Sequence, residues 1–302
     1  MTWRAKRSVG WILGLLSMSL IGVLDIWLVH LLFEHHIQAQ RINLLTFLAG
    51  FVALLSIPAL IFLAYQTMSC LTLRYHLDRN GIVVRWAGSE QIIPIRNIQQ
   101  IEPGYQLKGP IVRRQGPRWP GHERGTGSIP GIGKTCFLAT RPLSEQLLLV
   151  TPGLSFAISP QDPEKFLQAF EARRELGPNR LLGQEMRPAF WLAWPFWRDR
   201  RAWMLLGAAV IINLGLFGYL SARFPYLDIQ LPLHFNRWGQ VDRIGTKIEL
   251  FTLPIIGLII LGTNTALGLA LYKRERAGSY LLWGAAAATQ VLFWLAAFSV
   301  VP

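Results

Sequence analysis

The chain has 302 residues, 52% of them hydrophobic and 16% charged, with a mean hydropathy of +0.32. A soluble domain carries about 25% charged residues, and here the deficit falls in long apolar blocks, which excludes an ordinary soluble protein. The net charge of +13 would suggest nucleic acid in a soluble protein. In a membrane protein Lys and Arg gather on the cytoplasmic side against anionic lipid, so the lipid bilayer, and no nucleic acid, is the expected partner. Cys70 and Cys136 make neither a metal spacing nor a disulfide framework.

Residues 1–9 carry Arg4, Lys6 and Arg7, and an apolar run over 10–33 follows, broken only by Asp25. The run is too long for the apolar core of a signal peptide and predicts a retained first span. Residues 44–65 predict a second span with Pro58 as a kink. These 69 residues read as a two-helix hairpin.

Residues 70–177 are the only stretch patterned as a water-soluble domain. Leu73, Tyr75 and Leu77 alternate with Arg74, His76 and Asp78, as in a half-buried strand. Asn80-Gly81 predicts a type I′ hairpin turn, with positive φ at both residues, and 82–86 the return strand. Further strands are expected over 90–95, 98–101, 134–140, 146–151 and 154–159. A Gly-, Pro- and Arg-rich loop is expected over 104–133. Asp162, Pro163 and Glu164 predict a capped helix start, and Gly177-Pro178 its end. Phe166, Ala169 and Phe170 fall on one face. Residues 178–201 read as an interfacial linker, because Phe190, Trp191, Trp194, Phe196 and Trp197 lie among arginines. Three more spans are expected over 202–220, 250–271 and 280–301 within a 202–302 membrane region.

Basic residues set the expected orientation. The N-terminus carries three, residues 71–201 nineteen and residues 273–276 three, against Arg41 and four in 223–247 on the other side. The N-terminus and the insert are therefore expected inside, and the C-terminus outside.

Few residues point to chemistry. Gly131-Ile132-Gly133-Lys134-Thr135 resembles the end of a phosphate-binding loop, but Ser128 stands where the pattern needs Gly and a strand follows. Arg113, Arg114, Arg118 and Arg124 crowd one stretch and could grip lipid phosphates or a partner. Asp25, an acid inside an apolar span, is a functional residue by default, with Asn264 and Gln290 as polar partners in other spans. His234 and Asp242 could ligate a metal, but two ligands without a third define no site. No catalytic set, cofactor or metal is expected.

Two stretches resemble known families. Residues 73–170 resemble a bacterial pleckstrin-homology (PH) domain, through 75–85 around Asn80-Gly81, Ile93 to Ile98, Pro130 to Gly133, and Ile158-Ser159-Pro160 with Asp162 to Phe166. The resemblance implies a barrel capped by a C-terminal helix, and no particular ligand. Residues 231–247 resemble the short signature of SdpI-like membrane proteins, through Pro232, His234, Asn236, Gly239, Asp242, Gly245 and Lys247. SdpI-like proteins are associated with toxin immunity and signalling, and the resemblance implies a shared structural or sensing loop, which the charge count puts on the outer side.

The chain is thus expected to be an α+β membrane protein of the bacterial cytoplasmic membrane. Five transmembrane helices carry an inserted cytoplasmic PH-like β-barrel with a C-terminal α-helix. The expected function is non-enzymatic: the insert meets a protein partner, a second copy or the membrane surface. The alternative is a membrane enzyme or small transporter using Asp25, His234 and Asp242, which would require the three to converge on one cavity. His234 is expected to point inward to Asp242 or Asn236.

Overall fold

A computed structural model of the chain describes residues 1–37, 41–107, 112–116, 119–238 and 240–301, with backbone alone at 35–37, 112–114 and 235. Among the described residues five helices are long and apolar enough to cross a membrane: Gly10–Glu34, Leu44–Thr72, Arg200–Tyr226, Lys247–Leu271 and Arg276–Val300. The chain divides into two compact units. One holds residues 1–23 and 57–193, the other 24–56 and 194–302.

The first unit is built on two sheets. The five-stranded sheet has the order β1-β2-β3-β4-β11, with β1 Thr2–Arg4, β2 Arg74–Leu77, β3 Gly81–Trp86, β4 Ser89–Pro94 and β11 Glu185–Arg187. The six-stranded sheet has the order β5-β9-β10-β8-β7-β6. Its strands are β5 Gln100–Pro103, β6 Val112–Gln115, β7 Glu123–Ile129, β8 Gly133–Ala139, β9 Leu147–Val150 and β10 Ser155–Ile158. Pairing is antiparallel except for β8 with β10. The described pairings do not join the two sheets into a closed barrel.

The sheets share one core. Tyr75, Ile82, Val84 and Ile93 from the first meet Leu138, Leu149, Phe156 and Ile158 from the second. Tyr75 bolts them together: its hydroxyl donates to the Leu138 carbonyl at 2.9 Å and accepts from the Ser159 N–H at 3.0 Å. Burial pushes the Tyr75 phenol up to about 12. Helix α3, Pro163–Leu176, contributes Phe166 and Phe170, both fully buried. Each stabilises by about 1.5–3 kcal/mol through area removed from water. Trp3 of β1 meets the Phe166 ring edge-on at 5.8 Å.

Three expectations need correction. Gly81 does not have positive φ. The turn is instead closed by Asp78 Oδ1, which accepts from the N–H of Asn80 and of Gly81, each at 2.8 Å. Glycine is needed at 81 because a Cβ there would lie 2.4 Å from the Ile93 carbonyl oxygen. The two-residue turn with positive φ is Ala87-Gly88, φ 41° and 80°, between β3 and β4. Secondly, Asp162 precedes α3 without a side-chain capping bond, and Gly177 at φ 67° ends it. Thirdly, the 104–133 stretch is not all loop, since it holds β6 and β7. Gly116, just after β6, and Gly125 of β7 have φ of 130° and 127°, and a Cβ at either would strike the backbone of the facing segment.

The second unit packs three helices: α4 Arg200–Arg223, α5 Thr252–Leu271 and α6 Arg276–Val300. Small residues, Ala209, Gly257, Gly268 and Ala286, line their buried faces and let the backbones approach. Between α4 and α5 stands a hairpin of β12 Gln230–Phe235 and β13 Val241–Thr246.

Candidate functional site

The hairpin brings most of the predicted outer-loop residues together. Asn236 closes its turn: Oδ1 accepts from the N–H of Trp238 at 3.0 Å and of Gln240 at 2.9 Å. Gly239 lies outside the described residues. Gly245 sits within β13 rather than in a turn, and a Cβ there would lie 2.3 Å from Leu233 Cδ1 and 2.7 Å from Glu249 Oε1. Glu249 accepts from the Thr246 N–H at 2.9 Å and from Arg243 Nη2 at 2.8 Å, so it closes a capping box and restrains the strand. Lys247 Nζ donates to the carbonyls of Phe224 and Leu227, both at 3.1 Å, and stands 4.6 Å from the Phe224 ring. It thereby ties the end of the hairpin segment to the backbone just beyond α4. Pro232 pairs with Ile244, and a register shift separates it from His234. Leu231 is buried with Leu220, Phe224, Leu250 and Phe251, which anchors the hairpin on the helix ends.

His234 meets Asp242 at 2.5 Å, as one of the two expected partners. The pair points outward rather than inward, with 66% and 44% of the side chains exposed. His234 lines an open cavity of about 760 Å³ with Leu233, Arg243, Glu249, Leu253 and Ser299 among others. Among the described residues no group of three or more His, Cys, Asp or Glu could hold a metal.

Asp25 accepts from the Ser56 hydroxyl at 2.5 Å, across the first helix pair α1, Gly10–Leu31, and α2, Leu44–Thr72. Its partner is therefore neither Asn264 nor Gln290. Gln290 belongs to a different buried network, in which Asn213 Nδ2 donates to Gln290 Oε1 at 2.9 Å and to the Pro254 carbonyl at 3.0 Å. Gln290 Nε2 donates to the Gly257 carbonyl at 2.9 Å. Asn213 was not singled out from sequence, although a lone Asn in an apolar run is a readable signal. Asp25 does not line the cavity beside His234.

The arginine stretch divides. Arg113 and Arg114 lie on β6, with only their backbone described, and Arg118 lies outside the described residues. Arg124, on β7, is committed internally: Nη1 donates to the Tyr65 hydroxyl at 2.6 Å, and the guanidinium stands 5.2 Å from the Tyr65 ring and 5.3 Å from the Trp86 ring. It joins the sheets to the end of α2. Two further bonds act alike. Trp119 Nε1 donates to the Gly10 carbonyl at 3.0 Å, and the Ala87 N–H donates to Thr72 Oγ1 at 2.8 Å. Gln66, Thr67 and Ser69 are buried at this end of α2, which explains why the helix runs to residue 72.

The aromatic linker is partly structured. Residues 185–187 pair with β4, and the Trp191 ring meets Tyr65 edge-on at 5.5 Å. Phe196 packs with Trp203, Tyr272 and Trp283 in the second unit. The node of that cluster is Asp199, unnoticed in the sequence. Oδ1 caps α4 by accepting from the N–H of Arg201 and of Ala202, and Oδ2 accepts from the hydroxyls of Tyr272 (2.5 Å) and Tyr280. The two tyrosine hydroxyls hold the Asp199 carboxyl down at about 2, while burial and the nearby carboxylate push Tyr272 up to about 12.

No curated protein and no solved structure matches the chain. Residues 211–258, which contain the hairpin, match the family model described as a domain of unknown function (DUF1648). Residues 73–174 match the model described as a bacterial PH domain, so the chain carries such a domain inserted between the second and third of five apolar helices.

Proposed function

We propose that this is a non-enzymatic, multi-pass protein of the bacterial cytoplasmic membrane whose PH domain recruits a protein partner at the inner surface. The carrying observation is the union of that domain with the first helix pair. Strand β1 precedes α1 yet completes the sheet, and Trp119, Arg124 and Ala87 bond the sheets to residues of both helices. A domain held by such bonds follows its helices, rather than swinging on a linker, and suits a module that reports between membrane and cytoplasm. On this reading the N-terminus and the PH domain are cytoplasmic, and the 230–246 hairpin is the outer sensing element, in keeping with its SdpI-like residues. Its open cavity and exposed His234–Asp242 pair are the surface that would meet a stimulus.

The test is photocrosslinking in native membranes, with a reactive side chain at Tyr105, which is 71% exposed on the PH domain. Discrete adducts of defined mass are expected, either with another protein or with a second copy. A full chain that gives none from Tyr105, Arg96 and Glu171, all exposed on the same domain, would overturn the recruiting role.

A further inference from the structure

The N-terminal strand creates an unbalanced cluster of positive charge. Arg4 of β1 pairs in register with Arg74 of β2, and Arg74 pairs in turn with Arg85 of β3. Like charges directly opposite one another on neighbouring strands destabilise a sheet. The acid in this row, Glu90, is taken by Arg85 at 2.7 Å. Lys6 is likewise taken, by Glu145 at 2.7 Å. Arg4, Arg74 and the nearby Arg7 make no ion pair among the described residues. Together they line a cavity of about 300 Å³ with Ser8, Trp11 and Cys70, and no acid contributes to its wall. Ser8 is 8% exposed, and its hydroxyl has no hydrogen-bond partner.

The position of this cavity identifies what would fill it. It lies where α1 begins, at Gly10, and where α2 ends, at Thr72. Val9, Met68 and Leu71, beside it in sequence, are 60%, 56% and 55% exposed, as side chains facing lipid would be. Trp11 is a residue type that favours the headgroup level. Guanidinium groups bind phosphate oxygens through paired N–H donors, and a hydroxyl adds one more. We propose that Arg4, Arg7, Arg74 and Ser8 form a binding site for the phosphate of an anionic phospholipid headgroup. The site is distinct from the 113–124 stretch. It does not depend on the protein-recruiting role, since the crosslinks above and the lipid contacts are read separately.

The test uses the full chain in a neutral detergent. Phosphatidylglycerol is titrated in, and bound lipid is counted by native mass spectrometry alongside the melting temperature. The variant Arg4→Gln/Arg7→Gln/Arg74→Gln should bind the lipid at least about tenfold more weakly, since each cation near an anionic surface contributes appreciably. The control Arg96→Gln/Lys165→Gln/Arg180→Gln removes the same charge from exposed positions of the same compact unit and should bind as the parent does. Equal losses in both would reduce the effect to general surface charge and overturn the site. In lipid-free detergent the site variant should melt no lower than the parent, because it relieves repulsion between Arg4 and Arg74. A lower value would mean that the arginines are already satisfied within the protein, and the proposal fails. Stabilisation by inorganic phosphate as large as that by the lipid would assign the site to a soluble anion instead.

Discussion

His122 shows at the residue scale how burial becomes a pH dependence. It is 2% exposed and lies beside Arg124, and its pKa is lowered from 6.5 to about 4, chiefly by burial and then by the arginine's charge. The folded state thus holds the ring neutral, while the unfolded chain takes up a proton first. The stability it contributes is complete above about pH 6.5 and is lost as pH falls toward 4, by up to about 3 kcal/mol. The melting temperature of the PH domain unit in the full chain should therefore fall through this window. His122→Gln should flatten that fall. Parallel curves for parent and variant would show that another group governs acid sensitivity.

Two elements depend on single side chains. Asp199 starts α4 and also receives Tyr272, from the end of α5, and Tyr280, from the start of α6. Asp199→Ala should cost about 2–3 kcal/mol, from a lost cap and two hydroxyls left without their charged acceptor. Thermal unfolding in detergent reads this, and Asp199→Asn should recover part of it. The 230–246 hairpin behaves differently from its most eye-catching residue. His234 is largely exposed, so His234→Ala should shift stability by no more than about 0.5 kcal/mol. Gly245→Val places atoms against Leu233 and Glu249 and should expose the 223–247 segment to protease. If the histidine variant is cleaved and the glycine variant is not, the anchoring by Leu231 and Gly245 is wrong.

At the scale of the whole molecule, topology can be tested directly. Five apolar helices fix that the N-terminus and the insert share one side and that the 230–246 hairpin lies on the other, if all five cross. On the proposed reading, charge asymmetry puts the insert inside. In a background with Cys70 and Cys136 changed to Ser, an impermeant thiol reagent added outside cells should label Gln240→Cys and spare Gln115→Cys. Both positions are exposed, so access rather than burial decides the result. Labelling of position 115 alone would invert the orientation and move the proposed partner to the outer side.

The sequence by itself determined whatever is local or periodic. The five spans follow from runs of apolar residues, α3 from its proline, its glycine and the spacing of Phe166 and Phe170, and β2 with β3 from alternation. The PH domain was legible because side-chain types recur there at fixed spacing. Tertiary structure decided what is non-local. Residues 2–4 read as a basic flank, yet β1 pairs with β2 more than seventy residues away and turns Arg4 toward Arg74. Arg124 looked like one of four loop arginines until packing set it between Tyr65 and Trp86. Asp25 found Ser56, and Asp199 found two tyrosines, through contacts between helices that no window along the chain can contain. The physical reason is the same in each case: periodicity reports which face of an element is buried, while the partner on that face is set by how the elements pack.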